Sequence, residues 1–444
     1  VLSRLRSPLD REIFRLALPA LGALVAEPLF LLVDTALVGR LGAEPLAGLA
    51  IAGTVLQTAV GLLVFLAYAT TPAVARRLGA GDRPGAVRAG VDGLWLAATI
   101  SVPLVALGVP LAGPLVGLFG ADAAVTGQAM IYLQISVWGL PGMLIVLAAT
   151  GLLRGLQDTR TPLIVAAAGF AANAVLNVVF IFGLGLGIAG SALGTVLAQW
   201  GMAAVFLGIA VRAARATGTS LRPGLAGVSG AAAAGGWLLV RTASLRAAMV
   251  ATVAVGTAIG ALELAALHIS LTLFATLAFV LDALAIAGQA MIGHDLGAAE
   301  LPRVRAVTRR LVQHGIGGGA VLGLAVALCS PLLGPLFTPD RGVHAALLPA
   351  LLVLSVGIPL AGFVFVLDGV LIGAGDARYL AWTGLVNLAL YAPLLLLVST
   401  AELSPTARLL WLQAAFSLGY LGARALTLGL RARSDRWMHS GVER

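Results

Sequence analysis

The chain has 444 residues, 60% of them hydrophobic and only 11% charged. Soluble domains carry about 25% charged residues, so this composition excludes a water-soluble fold and reads as an integral membrane protein. All 28 basic residues are arginines, and the net charge of +9 sits in short clusters between apolar runs, a topogenic pattern that speaks against a nucleic-acid partner. The single cysteine, Cys329, excludes an internal disulfide. The opening Leu2-Ser-Arg-Leu-Arg-Ser-Pro-Leu-Asp-Arg11 is polar and basic, unlike a cleavable leader, and a start at Val1 instead of Met is expected to reflect trimming.

Apolar runs punctuated by Arg, Gly, Pro and Asp predict twelve transmembrane helices, at about 13–39, 46–75, 86–117, 123–151, 162–183, 190–211, 238–262, 264–293, 306–336, 343–371, 379–400 and 406–430. The expected fold class is all-α and integral to the membrane. Several runs are long enough to require tilt or to extend past the bilayer.

The first helix holds Pro28-Leu-Phe-Leu-Leu-Val-Asp34-Thr-Ala-Leu-Val-Gly-Arg40, a carboxylate set inside an apolar run. A charge at bilayer depth is costly, so such a residue points to function: it pairs, lines a watery cavity or carries protons. Glu27 lies two helical turns earlier on roughly the same face. Pro19 and Pro28 remove backbone hydrogen bonds and make this helix bendable. Further along, the fourth helix carries Tyr132, Gln134 and Thr150, the fifth Asn173 and Asn177, and the sixth Thr195 and Gln199. The last two pairs are each four residues apart and share a face. Singly such residues also serve as packing glue between helices; as a set beside one carboxylate they could hydrate it, hold its protonated form or offer oxygens to a small cation. In the second half, Asp282 with Gln289 is a second candidate, against a structural pairing of Asp282 with Arg241 or Arg246. Asp368 is expected to be a cap or loop charge, and Asp158 and Asp376 to staple loops. His268, His294, His314, His344 and His439 have no metal-ligand spacing and are read as structural.

The arginines orient the bundle. Arg4, Arg6, Arg11 and Arg15 precede the first helix, and further clusters follow the even-numbered helices up to the tail with Arg431, Arg433, Arg436 and Arg444. The loops between hold only Arg40, Arg341 and Arg408, which predicts both termini on the cytoplasmic side of a cell membrane.

The chain also repeats. Leu78-Gly-Ala-Gly-Asp82 is echoed by Leu296-Gly-Ala-Ala-Glu300, Gly151-Leu-Leu-Arg-Gly155 by Gly369-Val-Leu-Ile-Gly373, and Leu46-Ala-Gly-Leu49 by Leu264-Ala-Ala-Leu267, all at one offset of 218 residues. Two six-helix lobes follow, 1–218 and 219–444, joined by the segment from Arg212 to Gly224. Six is even, so both insert in the same orientation, a parallel repeat of the kind found in alternating-access transporters. The repeat partner of Asp34 is Thr252, so the scaffold is duplicated and the buried acid is not. There is no His-Glu-x-x-His, no Gly-x-Ser-x-Gly and no phosphate-binding loop, so no catalytic residue, metal site or cofactor is expected, and any energy for transport comes from an ion gradient.

On Pro28 to Gly42, the Leu78 to Asp82 loop, Arg154-Gly-Leu-Gln-Asp-Thr-Arg160, Asn173 to Asn177, Gly190-Ser-Ala-Leu-Gly-Thr195 and Leu281-Asp-Ala-Leu-Ala-Ile-Ala-Gly-Gln289, the chain resembles the multidrug and toxic compound extrusion (MATE) transporters, in their DinF-like branch. The resemblance implies two lobes around a V-shaped cleft and export of amphipathic, often cationic compounds. It implies cation coupling at Asp34 with Tyr132, Asn173, Asn177 and Thr195, and a first helix that bends at Pro19. Many relatives carry Asp where this chain has Asn177, and often read His-Gln where it has Leu267-His268. The neutral amide removes like-charge repulsion at Asp34 and leaves one fewer anionic ligand for Na⁺, which favours H⁺ as the coupling ion. The expectation is a membrane antiporter for small organic molecules, a monomer by default, with Glu27, Thr150, Gln199, Asp282 and Gln289 as candidate cavity residues. Na⁺ coupling and a lipid or metabolite flippase are the alternatives; a membrane enzyme or channel is disfavoured by the motif search and the lone carboxylate.

Overall fold

The computed structural model describes residues 7–441, and every regular element among them is helical. Arg4, Arg6 and Arg444, counted above in the charge pattern, lie outside the described residues. The order is α1 Pro8–Gly39, α2 Ala43–Leu63, α3 Phe65–Gly79, α4 Arg83–Gly117, α5 Ala123–Ser136, α6 Leu140–Gly155, α7 Arg160–Val178, α8 Gly187–Thr217, α9 Leu225–Ile259, α10 Ala261–Gly297, α11 Leu301–Phe337, α12 Arg341–Gly373, α13 Ala377–Thr400, α14 Pro405–Ala414 and α15 Leu421–Arg433. Eleven rods among the described residues are long and apolar enough to cross a membrane, α2 and α3 counting as one rod and α5 and α6 as another. A twelfth runs from Pro405 to Arg433, where a π-helical stretch Ala415–Tyr420 joins α14 to α15.

Three departures from the sequence reading have local causes. The second predicted helix changes direction at Val64, between α2 and α3. The fourth contains a 3-10 turn, Val137–Gly139, because Pro141 at the start of α6 lacks the N–H that an unbroken helix would use. α9 begins at Leu225 instead of about 238: its Gly- and Ala-rich opening reads as linker, yet the chain turns at Pro223-Gly224, where the Gly224 N–H donates to Asp92 at 3.1 Å, and is helical from there on.

The repeat governs the structure as well as the sequence. α2 and α10 start at Ala43 and Ala261, α4 and α11 at Arg83 and Leu301, α5 and α12 at Ala123 and Arg341, and α8 and α14 at Gly187 and Pro405, each pair 218 residues apart. Asp122 and Asp340, also paired, cap α5 and α12 by accepting backbone N–H bonds at 2.9 and 2.7 Å. The left-handed turns recur too: Gly81 (φ 78°) answers Ala299 (φ 57°), and Gln157 (φ 62°) answers Gly375 (φ 77°). So do the tightest helix contacts. Gly151 of α6 faces the backbone of Ala67 in α3, and Gly369 of α12 faces Ala285 in α10; one turn on, Gly155 meets Thr71 and Gly373 meets Gln289. A Cβ at any of the four would overlap the facing main chain, and small residues at such crossings are how membrane helices pack without a hydrophobic drive.

The described residues form two compact units, Leu18–Gly235 in one and residues up to Ala17 with those from Gly236 in the other. The repeat divides the sequence after 218, whereas α1 and α9 each contribute residues to both units. In the second unit the first turns of α1 are fixed to α11: Asp10, 1% exposed, accepts from Arg310 at 2.6 Å and contacts His314 at 2.7 Å, while Glu12 and Asp295 share Arg303.

Ala299 holds a backbone conformation that glycine adopts without a Cβ penalty of roughly 1 kcal/mol. Ala299→Gly is expected to raise the thermal midpoint, and Gly375→Ala at the corresponding turn type to lower it, by differential scanning fluorimetry of the detergent-solubilised protein.

Candidate functional site

Within the Leu18–Gly235 unit, Asp34 is 3% exposed and sits in a closed polar network. Asn177 Nδ2 and the Ser191 hydroxyl each donate to its Oδ1 at 2.7 Å, and the Tyr132 hydroxyl reaches Oδ2 at 3.4 Å. A second layer backs the first: Asn177 Nδ2 also donates to Asn173 Oδ1 at 3.0 Å, and Asn173 Nδ2 to Thr195 Oγ1 at 3.0 Å. Every direct partner of the carboxylate is neutral.

Local sequence explains how four helices converge there. Asn173 and Asn177 share one face of α7 at i, i+4. Immediately after, Val179–Gly183 forms a π-helical turn, a feature that frequently marks functional positions. α8 approaches α7 along a stripe of small residues: Gly190 lies against the backbone of Phe180 and Ile181, and Gly194 against Asn177 Oδ1 and its backbone N. Ser191 and Thr195, each one residue further on, thereby reach the network. From α1, Phe30 stacks on Phe170 of α7 at 4.8 Å, one turn before Asp34, and Gly22 admits the side chain of Leu163.

Thus Asp34, Tyr132, Asn173, Asn177 and Thr195 are brought together. Ser191 is the member that sequence reasoning missed; it stands four residues before Thr195, the same spacing that paired the two asparagines. The other candidates are not in this cluster. Glu27 is exposed on α1 and Thr150 half-buried on α6, and Gln199 packs its amide over Gly139. Pro19 and Pro28 both lie inside a helix that continues through them from Pro8 to Gly39. In the other unit Asp282 is half-buried on α10, and Gln289, 1% exposed, lies in the contact with Gly373. Asp368 is neither cap nor loop charge: it lies inside α12, 5% exposed, and is paired with Arg241 and Arg424. Arg241 is therefore committed to Asp368. Asp158 accepts from the backbone of Arg160 and Thr161, the stapling role expected, whereas Asp376 pairs with Arg431 at 2.7 Å.

Membrane-length helices arranged as two copies of one six-helix plan, with a buried acid in one copy, define a secondary transporter rather than an enzyme. The MatE family model matches residues 19–179 and 243–397, one segment in each repeat. The chain is 30% identical over 387 residues to the chloroplastic protein DETOXIFICATION 44 of Arabidopsis thaliana, covering 84% of this chain and 73% of that one. To the DNA damage-inducible protein F of Escherichia coli it is 27% identical, covering 83% and 81%. Among solved structures, the bent form of the Vibrio cholerae MATE transporter VcmN superposes with a TM-score of 0.86 at 21% identity over 97% of this chain and 98% of that one. The chain belongs to the MatE family of membrane transporters.

Because Gly194 leaves no room for a Cβ beside Asn177 Oδ1, Gly194→Ala is expected to displace that amide from Asp34. Transport should fall as far as in Asn177→Ala, with the protein still inserted and monodisperse by size-exclusion chromatography.

Proposed function

We propose that this transporter exports amphipathic, drug-like or toxic organic compounds across the cell membrane in exchange for H⁺, with Asp34 as the coupling group and alternating access as the mechanism. The observation that carries the reading is the chemistry of Asp34's neighbours. An amide and two hydroxyls surround it, and each can act as donor or acceptor. Toward the carboxylate all three donate. Toward the neutral acid, a rotated hydroxyl or a flipped Asn177 amide accepts the carboxyl proton instead. Asn177 Oδ1, buried and without a hydrogen-bond partner, is an acceptor held in reserve for that second state. A shell of this kind accommodates loss and gain of a proton without leaving either form unsatisfied, which a fixed arginine could not do.

Support for the export of organic compounds comes from relatives whose names record it, among them a probable multidrug resistance protein NorM of Thermotoga maritima, 30% identical over 195 residues. Na⁺ is the second reading, favoured by the same oxygens of Asp34, Asn173, Asn177, Ser191 and Thr195, which could ligate a small cation in place of a proton. The mainly apolar chain fits an amphipathic substrate, and the cytoplasmic termini follow from the arginine pattern.

The test is efflux of a fluorescent organic cation in proteoliposomes with the proton and sodium gradients imposed separately. Wild-type protein is expected to respond to the proton gradient and to move substrate uphill, and Asp34→Asn to lose at least tenfold of that activity while folding normally. A response confined to the sodium gradient would transfer the assignment to Na⁺; full activity in Asp34→Asn would end it.

A further inference from the structure

The second unit holds a buried charge cluster of opposite sign. Asp368 of α12 accepts from Arg241 of α9 through both nitrogens of one guanidinium edge, and from Arg424 of α15 at 3.1 Å. Asp368 and Arg424 are 5% and 8% exposed, and the Arg241 side chain 12%. One carboxylate thus faces two guanidinium groups. Arg424 has five N–H donors and spends one hydrogen bond, on an oxygen that Arg241 also uses.

The remainder of Arg424 borders a cavity of ≈ 10 Å³ lined also by Arg241, Asp368, Thr383 and Asn387. That is room for one water-sized occupant, far too little for a phosphate or sulfate. Close by, one turn before Arg424, the Tyr420 hydroxyl is buried without a hydrogen-bond partner, and Tyr420 itself is 3% exposed. A structural account of the cluster is weak. Buried ion pairs and triads are often no more stable than apolar packing of the same volume. The duplicated scaffold does not demand it either: at the offset of 218, Arg241, Asp368 and Arg424 correspond to Ala23, Thr150 and Phe206.

We infer that this cluster is a binding site for one compact monovalent anion, held by the free edge of Arg424 with Asn387 and Thr383 beside it. The ligand chemistry is a single small negative centre, either a halide ion or one carboxylate oxygen of an organic acid. Asp368 does not compete for the position. It fixes both guanidinium planes and keeps the site from gaining a second anion. The inference is independent of the coupling reading at Asp34, which lies in the other unit.

The experiment is thermal unfolding of the purified full-length protein, followed by tryptophan fluorescence, in sodium gluconate at constant ionic strength with chloride or acetate substituted stepwise. Chloride is expected to raise the midpoint by a few degrees along a saturating curve, because a ligand that binds only the folded state stabilises it by mass action. The shift should vanish in Arg424→Gln and persist in Asp34→Asn. A saturating shift with acetate and none with chloride, lost in the same variant, equally supports the site and assigns it to a carboxylate. If Arg424→Gln fails to fold, Asn387→Asp serves instead, since it places a negative charge beside the anion and should weaken its binding at least tenfold. Equal midpoints in all three salts for the wild type, or an anion-dependent shift unchanged in Arg424→Gln or Asn387→Asp, would overturn the inference.

Discussion

The constraint on which this structure turns is the cost of a carboxylate in a membrane. A charged side chain at the centre of a spanning helix costs roughly 2.5–3.5 kcal/mol on insertion scales, and Asp34 meets that cost with three hydrogen bonds and no opposite charge. Neutral donors lower the cost of the anion without cancelling it. A counter-ion would make the charge permanent, whereas an amide and two hydroxyls leave its loss accessible. The small-residue stripe on α8, the π-turn after Asn177 and the stack of Phe30 on Phe170 all serve to bring those donors within reach.

Set against this, the two halves have spent one inherited plan in different ways. Where the first half puts Asp34, the second puts Thr252, whose hydroxyl meets Tyr391 at 2.7 Å; Tyr391 in turn occupies the position of Asn173. The polar centre of the first half has thus become a neutral pair embedded among Tyr420, Phe416 and Leu395. Charge reappears elsewhere, at Arg241, Asp368 and Arg424, on positions that are uncharged in the first half. Duplication preserved where helices start and cross while leaving each half free to choose its buried chemistry.

The sequence made much of this legible, for identifiable reasons. Helix starts followed from hydropathy and from repeated caps such as Asp122 and Asp340, and the i, i+4 spacing put Asn173, Asn177 and Thr195 on converging faces. Ser191 escaped notice because a serine between glycine and alanine looks like packing. Asp368 misled by lying five residues from the end of α12, where acids are usually solvated, and its partner Arg424 is 56 residues away with no pattern linking them. Glu27 shared a face with Asp34 by periodicity, but periodicity fixes direction and not depth, and the residue is exposed.

The paired glycine crossings have a consequence for where flexibility can reside. At Gly151 and Gly155, and again at Gly369 and Gly373, main chain rests on main chain, close enough for Cα–H groups to contact carbonyl oxygens. Such seams have no side-chain rotamers to re-sort, so they can neither slide in small steps nor swell without parting altogether. α3 with α6, and α10 with α12, are in effect welded staves. Whatever bends during a transport cycle must be sought in rods that lack this join, and the one that carries both Asp34 and two internal prolines is the natural place for compliance.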